Sequence, residues 1–501
     1  MHLRLALWTL LCCMSACDGA TTEPLDVSCE SDQACGARVC VADWMSAGAD
    51  LEPMPLHCVE AEEGRAPGAA CEQAEDCAHK LCLLAGACAR ACRDADDCND
   101  GQRCQSVYAR VDSERLATAT ACVDHVNLPE GSRVEMRELP AAFSGGTDQL
   151  VLPAFELQTL YVVEHLDDRS WPIPASSSRC RPPLCGLALR TQAEPTEVLF
   201  ARDQLSEDAR GPDNPIPQGS HVSPLPVWIP NGTRVTPEAR AYELEVESSQ
   251  KGAARITSLA RDARGSRLDL NVYYVGAARL KPEGTRGPPL LEAALEEVER
   301  IFAPADIYLG EVRQLTVPGT LAERGSQADE VSAGFAQLMS RYQVLPEFPE
   351  LLRLSAGAAN SALDVFLVAD IQSTAGADVG GVAGGTPVAF GMHGGPGSGI
   401  AIASDMFTVP GRARELGRTL AHEIGHALGL FHTTEPNGVV FDPLSDTPAC
   451  SLARDRDGSG SLDADECAAH GGDNLMFSTS DAGDALSEEQ CEVLRRALIL
   501  Q

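Results

Sequence analysis

The residues best suited to catalysis lie in one segment, HEIGHALGLFH, which runs from His422 to His432. On a helix, His422 and His426 occupy the same face one turn apart, so both imidazoles can reach a single metal ion. Gly429 tolerates the left-handed backbone conformation that ends a helix, and the chain reversal there would bring His432 to the same ion. Three nitrogen ligands with one coordination position left open are typical of catalytic zinc. The segment therefore predicts a zinc site formed by His422, His426 and His432.

Glu423 lies beside the first of these histidines and is predicted to act as the general base. Its carboxylate would take a proton from the water that attacks a carbonyl group, while zinc supplies a Lewis acid. The alternative is a helix that carries histidines without binding a metal. The chain contains only 11 histidines in 501 residues, which argues against a chance coincidence of every position. The pattern as a whole indicates hydrolytic chemistry.

The motif HExxHxxGxxH resembles that of the metzincin zinc endopeptidases, in which a turn containing methionine lies beneath the metal. The segment Asn474-Leu475-Met476 is the counterpart of that turn, and Asp446-Thr447-Pro448 is similar to an element of the pappalysin-like (cytophagalysin) branch. Ser478 stands where such sites often carry a tyrosine. The resemblance implies an endopeptidase that acts on protein or peptide substrates, with Met476 as a structural residue under the zinc.

This resemblance is strongest over residues 414–498 and continues, more weakly, back to residue 266. It covers less than half of the chain and implies a metzincin-like catalytic domain over residues 266–501. The implied fold class is α+β, with a mixed sheet, a zinc helix and an irregular C-terminal subdomain.

A second metal site is predicted in the segment DRDGSGSLDADE, residues 455–466, whose spacing matches the twelve-residue loop of an EF-hand. Hard oxygen donors at this spacing suit calcium rather than zinc. The alternative is an acidic surface loop, because helices flanking such a loop would be short here. The predicted calcium ligands are Asp455, Asp457, Ser459, the Ser461 carbonyl, Asp463 and Glu466.

The zinc ligands need a helix, and residues 412–428 are predicted to supply it. Its apolar residues recur on one face, and we expect this stripe to pack into the core while the imidazoles face a cleft. The stripe consists of Leu416, Leu420, Ile424 and Leu428. Apolar periodicity upstream predicts a mixed sheet backed by helices. Its elements are strands at 268–275, 306–317 and 363–368, and helices at 290–302 and near 331–342.

Two further segments belong to this domain. Gly380 to Ala403 is predicted to contain the strand that edges the cleft and binds an extended peptide by strand addition, with a flexible loop as the alternative for its Gly-rich half. His393 in this segment is left unassigned, because a lone loop histidine is more often solvated than a ligand. Ser487 to Leu498 is predicted to be a helix that begins with a capping box formed by Ser487 and Gln490.

Of the 20 cysteines, twelve form three similar units between Cys29 and Cys122. Each unit begins with a similar cysteine spacing, as in CESDQACGARVC. Four cysteines per unit predict two disulfides per unit in an oxidising compartment. Segments this acidic and poor in aromatic residues bury too little apolar surface to fold without such staples. We interpret residues 29–122 as a stapled stalk or recognition module. Four-cysteine metal knuckles are disfavoured because CxxC pairs are missing.

The remaining cysteines suggest local bridges. Cys450 and Cys467 bracket the calcium loop and would clamp it, which leaves Cys491 unpaired, although other pairings among these three stay open. Cys180 and Cys185 are predicted to form a local disulfide. A cysteine switch, in which one of these thiols blocks the zinc, is the weaker alternative, because the segment contains two cysteines rather than one.

Residues 124–255 consist of short apolar runs bounded by Pro, Gly, Ser and Asn, such as LPVWIPNGTRV from Leu225. Alternation of apolar and charged residues from Tyr242 to Val246 has the period of a half-buried strand. The pattern predicts a β-sandwich-like domain. A propeptide removed on activation is the open alternative.

The N-terminal residues 1–17 have the basic start and short apolar run of a secretory signal. Its end, Met14-Ser15-Ala16-Cys17, resembles a bacterial lipoprotein box, which predicts a lipid anchor to a membrane at Cys17 and a tether over residues 18–28. Ordinary signal cleavage nearby is the alternative. We expect a bacterial membrane lipoprotein or a secreted protein.

The net charge of −34, from 73 acidic and 39 basic residues, argues against nucleic acid as a partner. The combined expectation is an extracytoplasmic zinc-dependent endopeptidase. One alternative is a calcium-dependent surface binding protein with an inactive protease-like domain, against which the presence of Glu423 argues. Another is a zinc hydrolase acting on non-peptide bonds, which the extension of the motif to His432 disfavours.

Overall fold

A computed structural model describes residues 29, 35, 39–42, 56–59, 63–110, 116–144, 147–152, 158–165, 185–191, 198–201, 225–229, 242–247, 251–275, 288–317, 337–340, 348–373, 379–395, 397–407, 412–479 and 483–501. The signal segment 1–17 with Cys17, the tether 18–28 and Cys180 of the expected Cys180–Cys185 disulfide lie outside these residues. Within the described ranges, no helix has the length and apolar character needed to cross a membrane.

The cysteine-rich region consists of short strands joined by disulfides. Strands β1 (Val39–Ala42) and β2 (Leu56–Val59) pair antiparallel, and β3 (Arg90–Ala91), β4 (Gln102–Arg110) and β5 (Leu116–Asp124) form a three-stranded sheet in the order β3-β5-β4. Each unit contains two disulfides, which confirms the prediction, and in each the first cysteine pairs with the third and the second with the fourth. The bonds are Cys29–Cys40, Cys35–Cys58, Cys71–Cys82, Cys77–Cys88, Cys92–Cys104 and Cys98–Cys122. These disulfides are consistent with an extracytoplasmic location.

The second and third cysteine units pack against the C-terminal domain. Leu81 and Leu83 share a buried cluster with Ala356. Leu84 and Leu116 belong to a second cluster, which includes Tyr273 and Phe366 of the C-terminal domain. These contacts do not fit a free-standing stalk for the second and third units.

The middle segment forms two four-stranded antiparallel sheets, which confirms its β-rich character. Their strand orders are β10-β9-β12-β7 and β11-β8-β13-β6. The strands are β6 (Arg133–Ser144), β7 (Thr147–Leu152), β8 (Thr159–His165), β9 (Cys185–Thr191), β10 (Val198–Ala201), β11 (Leu225–Ile229), β12 (Tyr242–Glu247) and β13 (Lys251–Ala260). The stacking of the two sheets as a sandwich stays a prediction.

The C-terminal domain is a mixed sheet with helices, as the sequence predicts. Its five-stranded sheet has the order β15-β14-β17-β20-β19, with parallel pairing throughout except for the antiparallel edge strand β19. The elements, in chain order, are β14 (Arg267–Val275), α1 (Pro289–Phe302), β15 (Tyr308–Thr316), β16 (Gln337–Ser340), α2 (Phe348–Leu352), β17 (Leu363–Val368), β18 (Asp370–Ser373), β19 (Gly381–Ala383), β20 (Gly399–Ala403), α3 (Ala413–Ala427) and α4 (Glu488–Arg495).

One predicted element is wrong. The helix expected near 331–342 is absent from its described part, because Gln337–Ser340 forms strand β16 and pairs parallel with β18. Residues 331–336 and 341–342 lie outside the described residues. Local propensity is a weak guide over so short a segment, and backbone pairing with a distant strand overrides it.

Helix α3 carries the zinc motif and packs on α1 and on the sheet. The predicted apolar stripe is fully buried at Leu416, Leu420, Ile424 and Leu428. Burial of each such side chain contributes about 1.5–3 kcal/mol, so the stripe is sufficient to fix the helix on the core. As a consequence, the opposite face of the helix, which bears His422 and His426, is held in one orientation.

Candidate metal centre

Three imidazoles converge at the end of α3. The His432 Nε2 atom lies 3.2 Å from Nε2 of His422 and 3.0 Å from Nε2 of His426. One nitrogen atom from each of the three rings lies within 4.8 Å of the other two. The structure therefore brings together the three histidines that the sequence selects.

The other nitrogen of each ring is held by an acceptor. His422 Nδ1 lies 2.8 Å from the Leu475 carbonyl, and His426 Nδ1 lies 2.7 Å from the Leu430 carbonyl. His432 Nδ1 lies 3.1 Å from the carboxylate Oε2 of Glu435. A carbonyl or carboxylate oxygen can only accept, so each Nδ1 carries the proton and donates. Each Nε2 therefore presents a lone pair.

These observations test whether zinc fits the site. Neutral Nε2 lone pairs 3.0–3.2 Å apart repel one another and cannot form a hydrogen bond, so a cation between them removes an unfavourable contact. Zinc–nitrogen bonds of about 2.0–2.1 Å in tetrahedral geometry place ligand nitrogens about 3.3 Å apart, close to the observed spacing. The donor set and its spacing fit zinc with one position left for water or substrate.

The pKa of His422 agrees with this protonation state. Burial and the neighbouring His432 together lower the pKa of His422 to about 3, against a raising effect of the hydrogen bond to Leu475. A ring with that pKa is neutral near pH 7, which is the form that binds a metal.

The chain reversal after α3 follows the prediction for Gly429. This residue has φ of +112°, a conformation that a side chain disfavours, and its N–H donates to the His426 carbonyl at 2.9 Å. Leu430 N–H then donates back to the Gly425 carbonyl at 2.9 Å. The reversal brings His432 next to His422 and His426, which the helix positions.

Glu423 lies on α3 beside the imidazoles and against the edge strand β19. It is 7 % exposed, and burial raises its pKa to about 8. A Cβ atom on Gly381 would lie 2.5 Å from Glu423 Cγ and 2.9 Å from Oε1, so only glycine at this point of β19 leaves room for the carboxylate. The residue expected from the sequence to be the base therefore lies against the edge strand β19.

The expected methionine turn lies beneath the centre and is fixed by an amide pair. Met476 is fully buried, and a Cβ atom on Gly425 of α3 would meet Met476 Sδ at 2.7 Å. Asn474 Oδ1 accepts from Met476 N–H at 2.8 Å, and Asn474 Nδ2 donates to Gln490 Oε1 on α4 at 2.8 Å. The Leu475 carbonyl of the same turn accepts a hydrogen bond from His422 Nδ1–H, so the turn directly orients the His422 ring.

The Asp446-Thr447-Pro448 element caps α4. Asp446 accepts from Ser487 Oγ at 2.7 Å and from Glu489 N–H at 2.9 Å. The predicted capping box of Ser487 and Gln490 is also present, which confirms the start of this helix. The segment after the zinc motif is therefore tied to the helix that anchors the methionine turn.

The segment predicted to edge the cleft, residues 380–403, contains the strands β19 and β20, and substrate binding there stays a prediction. Strand β19 is an edge of the five-stranded sheet next to α3, whereas β20 is interior, between β17 and β19. Of the segment 380–403, only β19 can present an unpaired backbone edge within the described residues.

His393 departs from the expected solvated state. It is 3 % exposed, and its Nδ1 and Nε2 lie 2.7 Å from Asp364 Oδ2 and 2.6 Å from the Asn360 carbonyl. Burial disfavours its charged form, but the attraction of Asp364 outweighs this and raises the pKa of His393. The signal that could have revealed this pair is the single aspartate in the apolar strand LDVFLV. The pair is structural and lies apart from the metal ligands.

The loop at 455–466 is compact and partly exposed. Asp455 Oδ1 accepts from Gly458 N–H at 2.8 Å, and Asp457 Oδ1 accepts from Ser459 N–H at 2.9 Å. The carboxylates of Asp455, Asp457 and Glu466 lie within 4.8 Å of one another. Ser459 Oγ donates to the Ser461 carbonyl at 2.9 Å, and Glu466 N–H donates to Asp463 Oδ1 at 2.7 Å. All six predicted ligands are therefore contained in one hydrogen-bonded loop, and calcium binding stays a prediction.

Cysteines near this loop pair as the sequence suggests. Cys450 and Cys467 form a disulfide that closes the loop, and Leu462 from inside the loop packs against both in a small cluster with Phe477. Cys491 is a buried free thiol.

Comparison with protein-family models and with curated proteins finds no match for this chain. The likeness to metzincins therefore depends on the motif and its geometry.

Proposed function

We propose that this protein is an extracytoplasmic zinc-dependent endopeptidase of the metzincin, pappalysin-like type. One observation carries the proposal: the Nε2 atoms of His422 and His426 lie 3.2 Å and 3.0 Å from Nε2 of His432, and Glu423, which follows His422 on the same helix, is buried. A structural zinc site would use four protein ligands, and the described residues supply three at this point.

Zinc, when bound, would polarise the scissile carbonyl and acidify the attacking water. Glu423 would accept a proton from that water at a carboxylate oxygen and pass it to the leaving amine. Met476 supports the ligands from below without touching the substrate.

The substrate class follows from the edge of the sheet. Strand β19 pairs with β20 on one side and lies against Glu423 through Gly381. An extended peptide that added to its free side would form backbone hydrogen bonds and place a peptide bond next to the base. This arrangement supports a polypeptide substrate over a small non-peptide ester or amide.

We further propose calcium at residues 455–466, in agreement with the EF-hand spacing and the convergence of Asp455, Asp457 and Glu466. For localisation, the disulfides support an oxidising compartment. The signal segment and the lipoprotein box favour export and a lipid anchor at Cys17.

The test is removal of the base with retention of the metal. Glu423→Ala should bind zinc as tightly as the parent yet lose hydrolysis of a mixed protein substrate by about three orders of magnitude or more, because general-base removal alone costs about 10²–10⁴-fold. Zinc content is measured by mass spectrometry of the metal, and cleavage sites by mass spectrometry of the peptides.

Glu415→Ala is the matched control, since Glu415 lies on the same helix and pairs with Arg412 on its exposed side. It should keep full activity. Equal hydrolysis by Glu423→Ala and the parent would exclude Glu423 as the base. A parent protein that binds zinc and cleaves nothing would favour the alternative of a binding protein with an inactive protease-like domain.

A further inference from the structure

The three metal-facing histidines do not have equivalent partners. His422 and His426 donate from Nδ1 to backbone carbonyls, whereas His432 donates to the carboxylate of Glu435 at 3.1 Å. Glu435 follows His432 by three residues but was not among the functional residues expected from the sequence. The second nitrogen of His432 is thus bonded to a carboxylate, and those of His422 and His426 to carbonyl oxygens.

The position of Glu435 is set by a tight turn. Its N–H donates to the Val440 carbonyl at 2.9 Å, and its own carbonyl accepts from Gly438 N–H at 2.8 Å. The preceding residue, Thr434, bridges to Phe441 and accepts from Cys450 N–H at 3.1 Å. The turn is therefore closed by backbone bonds on both sides of Glu435, and these bonds place Glu435 next to His432.

This turn matters because His432 differs from the other ligands in how it is placed. His422 and His426 are fixed by α3, whose apolar stripe is buried, but His432 lies in irregular chain beyond Gly429. A helix restrains side-chain direction, and a loop residue needs a specific contact to do the same. The contact available to His432 is its hydrogen bond to Glu435.

We propose that Glu435 is a positioning residue for the third metal ligand, a role that rests on the proposed zinc site. Its carboxylate accepts a hydrogen bond from Nδ1–H of His432, which fixes the tautomer with the Nε2 lone pair free, and its negative charge makes Nε2 a stronger electron-pair donor to the metal. Glu435 thus acts through His432 and needs no contact with the substrate.

The experiment compares zinc affinity in the full-length protein and in the variants Glu435→Ala and Glu435→Gln, by competition with a chromogenic chelator. Partners of this kind contribute about 10–100-fold to metal affinity, so Glu435→Ala should weaken zinc binding by that factor. Glu435→Gln should fall between the parent and Glu435→Ala, because the amide oxygen still accepts from Nδ1 but carries no charge. The visible spectrum of the cobalt(II)-substituted protein should shift in Glu435→Ala, since the geometry at His432 changes.

Glu350→Gln is the matched control, because Glu350 is exposed to a similar degree and its partner is Arg353, away from the centre. It should leave zinc affinity within about twofold of the parent, an allowance for the context dependence of outer-shell effects. The melting temperature of the zinc-free protein is measured for every variant. We expect it to be unchanged in Glu435→Gln, which separates positioning from a general loss of fold.

Zinc affinity of Glu435→Ala within about twofold of the parent would overturn the proposal, because the known effect of such partners is larger. A parent protein that binds zinc tightly but cleaves no peptide would contradict the endopeptidase function and leave the role of Glu435 standing. The two failures are therefore distinguishable.

Discussion

At the scale of single residues, the candidate centre depends as much on a missing side chain as on the ligands. Gly381 gives Glu423 its space, since a Cβ atom there would lie 2.5 Å from Glu423 Cγ and 2.9 Å from Cδ. Real Cβ contacts at such distances do not occur, so the carboxylate would have to move. The carboxylate of Glu423, the proposed base, is thus positioned by the close approach of β19 to α3.

We expect Gly381→Ala to lower kcat for peptide hydrolysis by about 10–100-fold, because a displacement of about 1 Å at a reacting group costs up to about 100-fold. Zinc affinity should be unchanged, since Gly381 faces the base rather than the imidazoles. Steady-state kinetics and chelator competition measure the two quantities.

Gly380→Ala is the control for this prediction. A Cβ atom at Gly380 would lie 3.2 Å from Thr419 Cγ2, a contact that a small adjustment relieves. It should retain activity close to that of the parent. If Gly381→Ala also does, Glu423 is not confined by β19.

At the scale of elements, irregular chain is organised by the helices on either side of it. Between α3 and α4 the chain has little regular structure, yet its methionine turn is bound to α4 through Asn474 and Gln490. The loop at 455–466 is joined to the same region, because Leu462 N–H donates to the Pro436 carbonyl at 2.9 Å, next to Glu435. This bond connects the candidate calcium loop to the turn that holds His432.

Removal of calcium should therefore loosen the C-terminal subdomain. We expect a lower melting temperature after calcium is stripped on a chelating resin and zinc is restored, with a smaller fractional loss of zinc. Ligand binding to the folded state stabilises it by mass action, so the shift should grow with calcium concentration. Differential scanning calorimetry and metal analysis give the two readouts.

Glu466→Gln should abolish the calcium-dependent shift, because it removes a carboxylate from the last position of the loop. Glu488→Gln, at an exposed position of α4, is the control and should preserve the shift. A melting curve that does not respond to calcium in the parent would remove the EF-hand assignment.

At the scale of the whole molecule, a buried polar junction joins three parts of the chain. Arg103 of the third cysteine unit donates to the His393 carbonyl of the C-terminal domain at 2.9 Å and lies 3.6 Å from Glu164 of β8. His125 lies beside them, with Nε2 3.0 Å from Thr257 Oγ1 of β13. Trp228 of β11 also meets Phe390 edge to face, with ring centroids 5.7 Å apart. The sheet β11-β8-β13-β6 of the middle segment is therefore packed on the C-terminal domain.

The junction predicts a sensitivity to acid. Burial, together with the charges of Arg103 and Arg255, lowers the pKa of His125 to about 2. The native state keeps His125 neutral, whereas the unfolded chain takes up a proton below about pH 6.5. Stability from this group is therefore present above about pH 6.5 and is lost as the pH falls, by about 1.4 kcal/mol per pH unit between pH 6 and 4.

His125→Gln removes this dependence, so its stability should fall less steeply with acid than that of the parent. Urea unfolding at a series of pH values from 7.5 to 4.5 measures the difference between the two slopes. Parallel curves for the parent and the variant would contradict a neutral, buried His125. His57→Gln, which changes a histidine of the first cysteine unit instead, is the comparison for a general effect of losing an imidazole.

The sequence alone determined the parts of this protein in which function depends on local spacing. Helical periodicity fixes which face of α3 is buried, so it also fixes that His422, His426 and Glu423 come together, and Gly429 marks the reversal to His432. Repeated cysteine spacing likewise determined two disulfides per unit. These features are readable because each depends on residues that lie near one another in the sequence.

Only the tertiary structure decided what depends on contacts between distant segments. The Leu475 carbonyl that accepts from His422 Nδ1, the closeness of Gly381 to Glu423, and the buried His393–Asp364 pair come from segments far apart in the chain. The strand at Gln337–Ser340 exists because β18 pairs with it, and the second and third cysteine units pack on the C-terminal domain because apolar surface on both is removed from water. Such contacts leave no periodic mark in the sequence, since packing and backbone pairing select them among many alternatives of similar local energy.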